Sequence, residues 1–279
     1  MPHSFMLYNS PQKIFRKTDS SQPLFFFTGA TLQKTIIMKT LPEQTLATIV
    51  TSSQFTVPVL EKYNLDFCCK GKRTLTDACM EKGLSVETVS RELENSLAAL
   101  QTNKMPFTAM TAEQLISYIL INHHYYVKQS MPTILGHLEK VAAKHGGRFP
   151  YMIEVLNLFK EIDADMRLHM HKEEVILFPR IKEVAALQEA HQHRNLFAGY
   201  IAAPIQVMEH EHDHAGNILY KIRELTNNYT PPPHACTTFQ VCLAGLKEFE
   251  EDLHRHVHLE NNILFPLAAD MLMQQSRLN

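Results

Sequence analysis

Two stretches of the chain repeat one pattern: His169-Met170-His171-Lys172-Glu173-Glu174-Val175-Ile176-Leu177-Phe178-Pro179 and His256-Val257-His258-Leu259-Glu260-Asn261-Asn262-Ile263-Leu264-Phe265-Pro266. Each sets a histidine and a glutamate four positions apart. On an α-helix, which advances about 1.5 Å per residue with 3.6 residues per turn, such a pair shares one face, one turn apart, so both side chains reach a single point. That is a metal-ligand spacing. One helical His-x3-Glu is common, whereas a duplicated one with the same Leu-Phe-Pro sequel is not. The chain must therefore bring two long helices side by side, and the Leu-Phe-Pro exits are read as packing and helix termination.

Composition narrows the function. The 279 residues suffice for one large domain or two unequal ones with a substantial core. A net charge of -2 lacks the basic excess of a nucleic-acid-binding surface. The 16 histidines are the one excess, and imidazole is the commonest protein metal ligand. The 5 cysteines show no disulfide framework of the small secreted kind, which fits a reducing, cytoplasmic setting. No apolar run approaches the length of a membrane span. In residues 1–37, Lys13, Arg16 and Lys17 precede Leu24-Phe25-Phe26-Phe27, but Thr28, Gly29, Thr31 and Gln33 soon dilute that apolar core. This segment is expected to be a poorly ordered extension rather than an export signal.

Residues 38–100 read as a small helical unit, with helices over 45–52, 54–63 and 74–82 and another opened by Ser85 and Thr88. A linker containing Pro106 follows. Region 109–274 then carries four long helical segments. The first starts at the capping signal Thr111-x-x-Gln114, is kinked by Pro132 and ends at Gly146-Gly147; the second covers 150–189. The third begins near Pro204 and ends at Asn227-Asn228, and the fourth runs from His234 to about Met273. Four helices with short connections predict an all-α, antiparallel four-helix bundle whose core can build a metal site.

Helices two and four supply His169 with Glu173 and His256 with Glu260; the partner helices should complete the set. On the first, Leu120, Val127, Met131 and Leu135 form an apolar stripe that passes His124 more closely than its rival His123. On the third, Ile205, Met208, Ala215 and Leu219 favour His212 over His210 and His214. His171 and His258 are expected to point away from the centre. Four imidazoles and two carboxylates are too many for tetrahedral zinc and too nitrogen-rich for magnesium or calcium. Two metals are indicated, with the carboxylates as bridges, and a non-haem di-iron centre with an oxo or hydroxo bridge is the leading interpretation.

With these residues assembled, the chain resembles the RIC family, the repair-of-iron-centres proteins of the YtfE and ScdA type. The resemblance runs from about Met38 to Met273. It rests on Tyr63-Asn64-Leu65-Asp66-Phe67-Cys68-Cys69-Lys70-Gly71-Lys72, the His169 block, Glu209-x-Glu211-His212-Asp213, Thr230-Pro231-Pro232-Pro233-x-Ala235-Cys236-Thr237-Thr238 and His256-x-x-Leu259-Glu260. It implies a haemerythrin-like bundle with a di-iron centre behind a small amino-terminal domain that carries a vicinal cysteine pair. It matches the four histidines to His124, His169, His212 and His256, and the bridging glutamates to Glu173 and Glu260. The implied task is repair of iron-sulfur clusters damaged by nitric oxide or oxidants, by giving up iron to damaged proteins or a cluster-assembly scaffold. An acidic residue matching Glu211 is implied to line the route to the metals; where a relative has a second glutamate, this chain has Asp165.

Cys68 and Cys69 are adjacent, which disfavours an unstrained disulfide between them, and Lys70, Lys72 and Arg73 favour the thiolate. With the resemblance, the pair reads as a transient iron ligand, a redox switch or a client contact; on spacing alone, two partly buried small residues are the bland reading. Cys79, Cys236 and Cys242 are read as structural. Two further functions compete: a module that binds or senses oxygen or nitric oxide, and an enzyme that reduces nitric oxide at the iron pair. The sequence leaves the oligomeric state open, a homodimer included.

Overall fold

A computed structural model describes residues 40–98 and 106–277, apart from Cys69 and positions 193, 195 and 198; the extension 1–37 lies outside the described residues. Among the described residues there is no strand, and the only extended pairing is a single bridge between Thr45 and Thr74. The first helices are α1 (Leu46–Ser52), α2 (Val57–Lys62), α3 (Leu75–Lys82) and α4 (Val86–Ala98). Local signals set their ends. The hydroxyls of Thr45 and Thr74 accept from the backbone N–H groups of Thr48 and Asp77, and α3 stops at Gly83, whose φ of 64° suits a residue without Cβ. In the loop after Phe67, a Cβ on Gly71 would collide with the Phe67 carbonyl, so only glycine lets that turn close.

Four rods follow. Rod one joins α5 (Ala112–Ile119), a π-helical turn (Leu120–His124) and α6 (Tyr125–His145). Rod two joins α7 (Tyr151–Lys172), a π turn (Glu173–Leu177) and α8 (Phe178–Glu189). Rod three is α9 (Gly199–Leu225), and rod four joins α10 (Thr237–Leu259), a π turn (Glu260–Leu264) and α11 (Phe265–Arg277). Each packs on the next around the bundle, α6 on α7, α7 on α9, α9 on α11 and α10 on α6. Thr111 and Gln114 form the anticipated capping box at the start of α5.

Two expectations need correction. The Leu-Phe-Pro exits do not terminate their helices: Pro179 and Pro266 occupy the second position of α8 and α11, where the first turn needs no intrahelical donor. Rod one carries its π turn ahead of Pro132, and α6 continues through that proline. Rod three begins at Gly199, ahead of Pro204. Proline there cannot donate to the carbonyl of Tyr200, and the Arg180 guanidinium supplies the missing bond at 2.9 Å.

Buried apolar side chains form two clusters. One runs from Leu46, Ile49 and Phe67 in the first helices through Met131, Phe159, Leu219 and Phe249 in the bundle, so the small helical unit and the bundle share a core. The other gathers Ile116, Phe178, Ile205, Leu264 and Phe265 at the opposite end. Phe67 is fully buried, its ring edge-on to His254 and His258 of α10 at 6.0 and 5.7 Å. Phe67→Ala should destabilise the protein by about 3–5 kcal/mol in urea unfolding; a loss below about 1 kcal/mol would show that this ring does not anchor the small unit.

Candidate metal centre

The polar layer lies between the two apolar clusters. His124 closes the π turn of rod one, Glu173 and Glu260 open those of rods two and four, His169 and His256 lie one helical turn before them, and His212 projects from the middle of α9. All six are at most 1 % exposed. In each π turn the hydrogen bond spans five residues: Tyr125 N–H to Leu120, Phe178 to Glu173 and Phe265 to Glu260. The extra residue shifts the phase of the helix, so that a ligand and the large apolar residues after it can both face inward. The phenylalanines of the Leu-Phe-Pro repeats use this register, Phe178 packing on the His124 ring and Phe265 lying parallel to that of His212 at 6.2 Å.

The six side chains form two sets that share both carboxylates. One ligand atom from each of His124, Glu173, His256 and Glu260 lies within 4.8 Å of the others, and the same is true of His169, Glu173, His212 and Glu260. Glu173 Oε2 is 3.3 Å from Nε2 of both His124 and His169; Glu260 offers Oε1 to His256 at 2.9 Å and Oε2 to His212 at 3.2 Å. The residues set aside lie elsewhere. His123 is outside both sets, with Nδ1 on Asp252 at 3.0 Å; His171 and His210 are exposed; His214 meets Glu161 and Asp165 on the surface.

Burial and charge leave this layer in need of cations. Burial, then the Glu260 charge, raises Glu173 well above the usual carboxylate range; burial also acts on Glu260, but the charge and hydrogen bonds of His256 and His212 hold it well below. Burial lowers His124 and His169 to about 4, so both are neutral at physiological pH and can ligate. Both oxygens of Glu173 and Nε2 of His124 are buried with no hydrogen-bond partner among the described residues. Nitrogen and carboxylate donors left so at a shared centre suit iron.

Nδ1 of His169 donates to Glu211 at 3.0 Å, and Lys172 salt-bridges the same carboxylate. The hydrogen bond from His169 lowers Glu211 to about 2, so it stays ionised beside the centre. Cys68 is not part of either set. It is buried, with Sγ and backbone N–H both on Asp66 Oδ1 at 3.1 Å, and it borders a cavity of about 550 Å3 lined also by Arg73, Asp213 and His254. Cys69 lies outside the described residues.

Two family models match stretches of the chain. Residues 115–268 match the hemerythrin HHE cation binding domain, and residues 42–97 match ScdA_N, a domain of unknown function. The chain is 34% identical over 227 residues to a probable iron-sulfur cluster repair protein of Haemophilus influenzae, covering 80% of this chain and 96% of the relative. The chain belongs to the RIC family. Two further relatives, both named iron-sulfur cluster repair protein YtfE, come from Citrobacter koseri, 36% identical, and Escherichia coli, 34% identical; each match covers 81% of this chain and 96% of the relative. No described helix of this RIC chain is long and apolar enough to cross a membrane.

Two features of this RIC centre escaped the sequence reading. No motif announces the π turn at His124, whereas the prolines after the other two were the available signal. His258 does point away from the centre, yet it is buried against Phe67, accepts from Asn262 at 3.0 Å and is lowered to about 4 by burial. The unfolded chain therefore takes up this proton first, and the stability is complete above about pH 6.5 and lost as pH falls toward 4. Between pH 7 and 5, metal-free His258→Gln should lose about 2 kcal/mol less unfolding free energy than the parent; equal losses would show that His258 titrates alike in both states.

Proposed function

We propose that this chain holds two irons between its six converging side chains and takes part in iron-sulfur cluster repair by giving iron up. The observation that carries the reading is the pair of four-residue donor sets sharing Glu173 and Glu260. A shared carboxylate can offer one oxygen to each of two cations, and two such bridges offset their mutual repulsion. His124 and His256 would hold one iron, His169 and His212 the other. When bound, the pair supplies redox chemistry and a stock of exchangeable iron.

The chain's own residues determine how that stock is kept. The two apolar clusters exclude bulk water from above and below the layer, so the carboxylates attract cations strongly there. Glu211 is part-exposed and also touches His169, which makes it a polar step from the centre to the surface. Asp165 lies further out, 3.5 Å from His214. The names of the relatives in Haemophilus, Citrobacter and Escherichia support cluster repair as the task. The proposal includes the cytoplasm as its place, where thiols such as Cys79 and Cys242 stay reduced, and nitric oxide or oxidants as the source of damage. Cys68, with its neighbour Cys69, is proposed as the contact or transient ligand on the client side.

The decisive assay incubates the iron-loaded protein with a cluster-depleted apoprotein, cysteine and a desulfurase. Faster recovery of client activity than with the same amount of free iron is expected; equal recovery refutes donation, and catalytic nitrous oxide formation from nitric oxide would establish the enzymatic alternative. Iron analysis should give two per chain for the parent and for His171→Ala, and well below two for Glu173→Leu or Glu260→Leu. Equal losses in all three variants would refute the ligand assignment.

A further inference from the structure

The four inward-facing imidazoles are not held alike from behind. His124 donates Nδ1–H to Glu174 on rod two at 2.7 Å, and Lys128, one turn along from His124, meets the same oxygen at 2.6 Å. His169 repeats the device one rod further round, with Glu211 and Lys172. His212 has a neutral backing, the side-chain oxygen of Asn261 at 2.9 Å. Nδ1 of His256 has no hydrogen-bond partner among the described residues; His123, whose ring lies flat on it at 5.6 Å, gives its own Nδ1 to Asp252.

A carboxylate behind an imidazole selects the tautomer that leaves Nε2 free to ligate, fixes the ring plane and strengthens the nitrogen as a donor. An amide oxygen does the first two without the charge. The His169/His212 position thus has both rings held, one by a carboxylate and one by an amide, whereas the His124/His256 position depends on Glu174 alone. The Glu174 and Glu211 side chains are each 30% exposed, so either can loosen without unpacking the core, and the two positions differ in that His212 keeps Asn261 whereas Nδ1 of His256 has no such partner among the described residues.

We propose that the iron at His124 and His256 is the first to leave, and that Glu174 is the positioning residue that controls its departure. The inference rests on the reading of the chain as a holder and donor of two irons, and it assigns an order to the donation. Glu211 then governs the second iron with help from Asn261, which makes that position the slower.

The test follows iron release from the reduced, fully loaded protein into excess chromogenic ferrous chelator. The parent should release its iron in two phases of equal amplitude. Glu174→Ala should speed the fast phase by about 10- to 100-fold and leave the slow phase unchanged, and Glu174→Gln, which keeps an acceptor but loses the charge, should fall between. Asn261→Leu should speed only the slow phase. Mössbauer spectra of Glu174→Ala should show one of two iron sites altered, a signature that general loosening of the fold would not produce. If Glu174→Ala does not fold, Lys128→Met tests the same support and should speed the fast phase alone. A single phase in the parent, or equal acceleration of both phases in the Glu174 variants, overturns the proposal. Ordered release without cluster recovery would refute the donor function and leave the order standing; cluster recovery with single-phase release would do the reverse.

Discussion

Burying two carboxylates next to one another in an apolar bundle is the costliest thing this chain does. Glu173 and Glu260 are fully buried, and among the described residues neither a lysine nor an arginine pairs with them; their close partners are imidazoles, two of which burial keeps neutral. The surrounding structure answers to that demand. Apolar clusters above and below supply the folding free energy that the polar layer cannot, and the phenylalanines after the π turns pack against the rings of His124 and His212. An arrangement so unfavourable for the bare chain is a strong attraction for cations, which is why the geometry is informative about function.

Much of this was legible in the sequence because a helix turns a spacing into a direction. His169 with Glu173, and His256 with Glu260, required only that their segments be helical. The choices of His124 over His123 and of His212 over His210 and His214 required an apolar stripe, and the stripe was there to read. The capping box at Thr111 and the glycine stop at Gly83 were equally local. What stayed hidden depends on contacts distant in sequence. The acceptors behind three of the imidazoles, Glu174, Glu211 and Asn261, come from a neighbouring rod, and no spacing rule links His124 to Glu174. The burial of His258 likewise depends on where Phe67 comes to rest.

Prolines were read in the wrong sense for a physical reason. A proline inside a regular helix loses a donor and crowds the carbonyl four residues back, so a stop was the natural inference. Two local devices remove the conflict here. Before Pro179 and Pro266 a wider turn begins the helix afresh, and at Pro204 a side chain from another helix takes the orphaned carbonyl. The small helical unit and the bundle, distinct as stretches of sequence, also prove to be joined by a common apolar core through Phe67 and its neighbours.

The three wide turns carry a consequence for how such a chain can change over time. Each is an α-helix with one residue to spare, and losing that residue would let the rod relax into regular winding while rotating everything beyond it by about 100°. Phe178 or Phe265 would swing off its imidazole, and a downstream apolar face would turn to water. A single-codon deletion there would therefore cost more than most substitutions along the same rods, because it moves every residue beyond it at once.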